Sequence, residues 1–209
     1  MEQDETEECQ IEQGETEKHQ MEQNETEEYQ MEQDEIEECQ MEQKIIGNKR
    51  KADVSNLADS SIVIRPMTME DFDQVHALWM TIHGFGIRSI DDAREGVERF
   101  LTRNPGISVV AEWNKEIIGS ILCGHDGRTA SFYHVSVRED FRRRGIGKEM
   151  VLACMHALHR EKVSKISLVA FQNNQIGNEF WNAEGWTRRT DLNQYEFILN
   201  EENIIRFNG

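Results

Sequence analysis

Apolar residues form strand-length runs and helical stripes between residues 61 and 200, and almost nowhere else. "SIVIRP" (61–66) predicts a short strand stopped by Pro66. Phe72, Val75, Leu78, Trp79 and Ile82 recur at three- and four-residue intervals, which places them on one face of a helix capped by Thr68 or Asp71 and ended by Gly84 and Gly86. "SIDDAREGVERFLTRNPG" (89–106) predicts a second helix, capped by Ser89 or Asp91, with Ala93, Val97, Phe100 and Leu101 inward and Asn104-Pro105-Gly106 as its stop. "ISVVAEW" and "EIIGSILCG" read as a hairpin through Asn114-Lys115, "HDGRTA" as a turn, and "SFYHVSV" (131–137) as the next strand. An amphipathic helix follows in "KEMVLACMHALHREK", with Met150, Val151, Cys154, Met155 and Leu158 on its apolar side. Then come a strand, "ISLVAF" (166–171), a short helix opened by asparagines and closed at Gly185, and a last strand or strand pair in "WTRRTDLNQYEFIL". The order βααβββαβαβ describes a mixed sheet covered by helices, an α/β (α+β mixed) domain.

Residues 1–43 break this pattern. They repeat every ten residues (MEQDETEECQ, IEQGETEKHQ, MEQNETEEYQ, MEQDEIEECQ) and offer one apolar residue per unit. Such a segment cannot offset the entropy of ordering by burial, so it reads as an acidic, low-complexity, disordered tail. Residues 44–60 read as a linker, 61–200 as the folded domain and 201–209 as a C-terminal tail. The tail also explains the charge. Of a formal net charge of -17, the whole excess lies in residues 1–43, and the remainder holds 22 acidic and 22 basic residues. A neutral body behind an acidic tail lacks the basic footprint of a nucleic-acid binder. No run of 18 apolar residues suggests a membrane span, and no signal or transit peptide is evident, so a cytoplasmic location is expected. Cys9, Cys39, Cys123 and Cys154 form no CxxC pair, which argues against a disulfide framework or a metal site.

The candidate chemistry lies in "FRRRGIGKEM" (141–150). A strand enters this loop and a helix leaves it. The first-turn N–H groups of that helix face an anion, Gly145 and Gly147 permit close backbone approach, and Arg142, Arg143 and Arg144 add charge-assisted donors. Neither a P-loop nor a GxGxxG fingerprint is present. The loop is an anion cradle of another kind.

With "HVSVRED" before it and "NNQ…FWNAEGW" after it, this loop resembles the Q/R-x-x-G-x-G/A signature of the GNAT (Gcn5-related) N-acetyltransferases, over roughly residues 61–200. "GHDGR…YHVSV…FRRRGIG" is most similar to the YpeA-type group of bacterial GNATs. The resemblance implies an enzyme that transfers an acetyl group from acetyl-CoA, its cosubstrate, directly to a primary amine of a small molecule or peptide. It places the coenzyme A pyrophosphate on the backbone of Arg142, Arg143, Arg144, Gly145, Ile146 and Gly147, with Lys148 close by. The pantetheine arm would lie along Val135 and Val137, and Asn173 or Asn174 would touch it or cap the helix. A homodimer is the oligomeric option; nucleic acid and membrane are not expected partners.

One departure stands out. The family's usual acid is a tyrosine four residues before the helix-ending glycine, and Gly185 makes that position Trp181. Indole donates a hydrogen bond but is no acid. Tyr133 or water takes the role, or the thiolate leaves unaided. His134 and Glu112 are the candidate bases. The alternative is a degenerate coenzyme A-binding sensor without efficient catalysis. Asp91, Asp92 and Glu95 read as helix-start charge, and Cys123 and Cys154 as buried core residues.

Overall fold

The computed structural model describes residues 62–83 and 85–208. The repeated tail and the linker lie outside them. Among the described residues, seven strands and four α-helices follow in chain order: β1 (Val63–Pro66), α1 (Phe72–Thr81), β2 (Gly86–Arg88), α2 (Arg94–Arg103), β3 (Val109–Trp113), β4 (Glu116–His125), β5 (Thr129–Val137), α3 (Ile146–Arg160), β6 (Lys165–Leu168), α4 (Gln175–Ala183) and β7 (Ile205–Phe207). Five strands form one sheet in the order β1-β3-β4-β5-β6. The first three pairings are antiparallel and β5–β6 is parallel. This is the mixed α/β architecture expected from the sequence.

Helices cover both faces of the sheet. On one side α3 buries Met150, Val151, Cys154 and Leu158 against Val109, Ile118, Ile121, Cys123 and Phe132. On the other, α1 buries Val75, Leu78 and Trp79 against Val110, Ile117 and Leu122, with Val97 of α2. β4 is covered on both faces, which is why it reads as the nearly unbroken apolar run IIGSILC. The β3–β4 hairpin turns through Asn114 and Lys115, both at positive φ, the geometry whose twist matches the flanking strands.

Three expectations are corrected. The second helix starts at Arg94 rather than at Ser89 or Asp91. The Ser89 hydroxyl instead donates to the Glu202 carbonyl, and Asp91 accepts from the Asn203 amide. Gly86, read as part of a helix stop, opens β2. The last strand is not in residues 186–199, which join no ladder; it is β7, which pairs antiparallel with β2. The cause is polar and long-range. The Asn208 side chain donates to the Trp79 and Ile82 carbonyls at the end of α1, and the Ser89 and Asn203 contacts hold the approach. Hydrophobic periodicity cannot register such bonds.

Gly96 sits where α2 crosses the turn at 90–91, and a Cβ there would run into the Ile90 and Asp91 carbonyl oxygens. We expect Gly96→Ala to lower stability by about 1–3 kcal/mol, the usual cost of overpacking. Urea unfolding of the full chain, followed by tryptophan fluorescence, checks this; an unchanged midpoint would contradict it.

Candidate functional site

The site is built where β5 leaves its neighbours. On the β6 side the ladder stops at the Phe132–Leu168 pair, so Tyr133–Val137 have no strand partner there among the described residues. On the β4 side the register shifts between Ser120 and Leu122, and the extra residue lies in the stretch containing His134 and Val135. His134 has φ +47°, a left-handed conformation that few residues with a Cβ adopt within a strand. Such a bulge re-aims side chains. Tyr133 meets Phe100 of α2 edge-on at 5.8 Å, and His134 meets Trp79 of α1 at 4.5 Å. Val135 and Val137 pack on the opposite, α3, side.

β5 then runs through a 3-10 turn (Glu139–Phe141) into the arginine and glycine loop. Gly145, at φ +83°, caps α3 in a left-handed conformation that a Cβ would strain. The first backbone bond closing the helix runs from the Glu149 N–H to the Gly145 carbonyl. The N–H groups of Ile146, Gly147 and Lys148 therefore form a first turn without intrahelical acceptors, at the positive end of a 15-residue helix. A Cβ on Gly147 would lie in ordinary contact with the Phe180 ring of α4, at 3.4 Å.

The three arginines divide their work. Arg142 Nε donates to the Val137 carbonyl at 3.0 Å and ties the loop to the strand. Arg144 donates to the Asp140 carbonyl and lies over the Phe141 ring. Arg143 is exposed, at φ +64°. Lys148 pairs with Glu184 at the end of α4 (3.3 Å). Asn174 caps α4 by accepting the Gly177 N–H, while the neighbouring Asn173 is exposed.

Of the candidate acids and bases, His134 lies at the bulge, with Nε2 2.7 Å from Asp92 Oδ1. The second Asp92 oxygen accepts the Arg88 N–H at 2.6 Å. Glu112 is engaged elsewhere: Arg65 bridges it and Asp71 near the edge of the sheet. Trp181, partly buried, packs against the core among Phe132, Phe180 and Trp186. The Cys154 thiol is pushed up by its hydrogen bond with Cys123 and then by burial, which leaves it unsuited to carry an acyl group. Two features of this region were not legible beforehand. Asp92 read as helix-start charge, because its partner lies 42 residues away. The Trp79–Ser120–Ser136 chain of buried hydrogen bonds (2.9 and 3.0 Å) beneath the bulge gave no signal at all.

Comparison with known proteins decides the family. Residues 72–186, more than half the chain, match the model of the Acetyltransferase (GNAT) family. The chain belongs to this family. An acetyltransferase of Pectobacterium atrosepticum is 34% identical over 111 residues, 53% of this chain and 77% of its own. One of Yersinia pestis is 31% identical over the same shares. In fold the acetyltransferase is similar to the PaiA N-acetyltransferase of Thermoplasma acidophilum in complex with coenzyme A (TM-score 0.55, 15% identity, 69% of this chain and 96% of that one). It is likewise similar to the aminoglycoside N-acetyltransferase AAC(6')-Iy in complex with coenzyme A (TM-score 0.54, 17% identity, 68% and 99%). The protein is a GNAT-type acetyltransferase, an enzyme whose acetyl donor is acetyl-CoA.

The Arg65 bridge sets an acid limit for this acetyltransferase. Burial pushes the Asp71 carboxyl up, but the Arg65 guanidinium and the Thr68 N–H outweigh it and hold the group below its ordinary value. A depressed carboxyl stabilises the fold above the unfolded-state value and loses that contribution as the pH falls. We expect Asp71→Asn to be less stable than the native chain at pH 7 and the gap to shrink as the pH drops through the carboxylate range. Urea midpoints at a series of pH values test this, and a gap that widens in acid would refute it.

Proposed function

We propose that the enzyme acetylates a primary amine of a small molecule or peptide, by direct attack of the amine on the thioester of acetyl-CoA. The observation that carries this reading is the continuous path from an unpaired strand edge to a helix N-terminus: Tyr133–Val137, then the loop, then the first turn of α3. A pantetheine arm with amide groups fits the first part and a pyrophosphate the second. On this reading Val135 and Val137 hold the arm. The backbone of Arg142 to Gly147 holds the phosphates, with Arg143 free to reach them and Lys148 beside them. Arg142 acts mainly as the brace between strand and loop, Asn174 as the cap of α4, and Asn173 as a contact to the arm.

Acetyl-CoA supplies the activated acetyl group. The chain supplies orientation and proton handling. His134 takes a proton from the acceptor's ammonium, which frees its lone pair for attack on the carbonyl. Backbone N–H groups near Val135 polarise that carbonyl. As the amide forms, the C–S bond breaks, and the nitrogen's second proton ends on the coenzyme A thiol. A cysteine-like thiol has an ordinary value near 8.5, so the leaving group asks little of an acid. Tyr133, half exposed beside His134, or water can return the proton. His134 is favoured over Glu112 because the Glu112 carboxylate is already held by Arg65. Kinship with the YpeA-type group, a homodimeric state and a cytoplasmic location belong to the same proposal; no helix among the described residues is long and apolar enough to cross a membrane.

Calorimetry with coenzyme A tests the reading. The native chain should bind, and Gly145→Val, which forces a β-branched residue to positive φ, should bind about tenfold more weakly or worse, given about 1–3 kcal/mol of backbone strain. Absence of binding by the native chain would overturn it. Thiol release from acetyl-CoA across a panel of primary amines then identifies the acceptor.

A further inference from the structure

We propose that Asp92 is a positioning residue for acetyl transfer: it holds His134 as the Nε2–H tautomer, so that Nδ1 is left as the proton acceptor. The proposal rests on the reading of His134 as the base, and the test below separates the two.

Asp92 is 5% exposed, and both of its oxygens are occupied. Oδ2 accepts the Arg88 N–H at 2.6 Å, and Oδ1 faces His134 Nε2 at 2.7 Å. A carboxylate only accepts, so the Nε2 nitrogen must carry the hydrogen. The imidazole is fixed in other ways too. The Trp79 ring lies 4.5 Å from it, tilted by 33°, and the Phe85 ring 5.5 Å away. Trp79 is itself anchored by its Nε1–H bond to Ser120, which bonds Ser136 two residues beyond His134. The backbone of His134 sits at φ +47°, a conformation that costs free energy and that bulge, ring walls and carboxylate together enforce. With one nitrogen bonded and the ring walled, Nδ1 is the atom left to meet an acceptor.

The Arg88 N–H makes this arrangement directional. It must face an acceptor, so in Asp92→Asn the amide oxygen turns to Arg88 and the NH2 group turns to His134. Nε2 then has to accept, and the hydrogen moves to Nδ1. The isosteric change removes the base without removing the ring.

Nitrogen-15 NMR of histidine-labelled full-length chain, at a pH where imidazole is neutral, reads the tautomer directly. We expect Nε2–H in the native chain and Nδ1–H in Asp92→Asn. With the amine identified by thiol release, Asp92→Asn should lower kcat about 100-fold or more, the span general-base catalysis supplies. Coenzyme A affinity should hold, which also reports that the variant is folded. Asp92→Glu should recover part of the rate. Nδ1–H in the native chain, which needs no variant, would overturn the proposal, as would an Asn variant still in the Nε2–H form. A flipped tautomer with undiminished kcat would overturn the catalytic role and with it His134 as base, while coenzyme A binding would still stand.

Discussion

The arrangement depends on one topological constraint, the parallel pairing of β5 with β6. Parallel neighbours cannot be joined by a tight turn, and the chain must cross the sheet face between them, here as α3. A crossover helix begins where its first strand ends. The unsatisfied N–H groups of α3 therefore lie beyond the carboxyl end of β5. The pairing with β6 also ends early, at Phe132, which leaves the last five residues of β5 open along one edge. On the proposed reading, pantetheine and pyrophosphate recognition both follow from that single geometry. Arg142, bonded to the Val137 carbonyl, keeps the strand end and the loop in register.

The bulge in β5 adds the second half of the site. Without it, alternation would send Tyr133 and His134 to opposite faces of the sheet. With it, both meet residues of α1 and α2, while Val135 and Val137 stay with α3. On the proposed reading, one strand thus presents backbone to a donor and side chains to an acceptor. The short β2–β7 ladder fixes the backbone around Arg88, whose N–H orients Asp92. Through this route the C-terminal strand is linked to Asp92 and so to its His134 partner.

What could be read from the sequence follows from the range of each signal. The α1 stripe Phe72, Val75, Leu78, Trp79 and Ile82 is buried as its spacing requires, and the Asn114-Lys115 hairpin is in place. The geometry of the glycine loop was legible because it is local: strand, glycines and helix start are contiguous. Asp92 was not, since helix-start acids are common and nothing nearby names His134. The bulge was equally hidden, because "SFYHVSV" alternates well enough to pass as a regular strand. The final strand was misplaced for a related reason. "NQYEFIL" has the stronger strand pattern, but Asn203 and Asn208 bring "IRF" to β2.

On the proposed reading, an open strand edge and a helix first turn form one continuous binding surface. Residue-resolved amide hydrogen exchange, with and without coenzyme A, tests it most directly. Slowed exchange is expected at Val135 or Val137 together with Gly145, Ile146, Gly147 and Lys148, with little change along β1 and β3. Protection confined to other elements, or none at the start of α3, would contradict it.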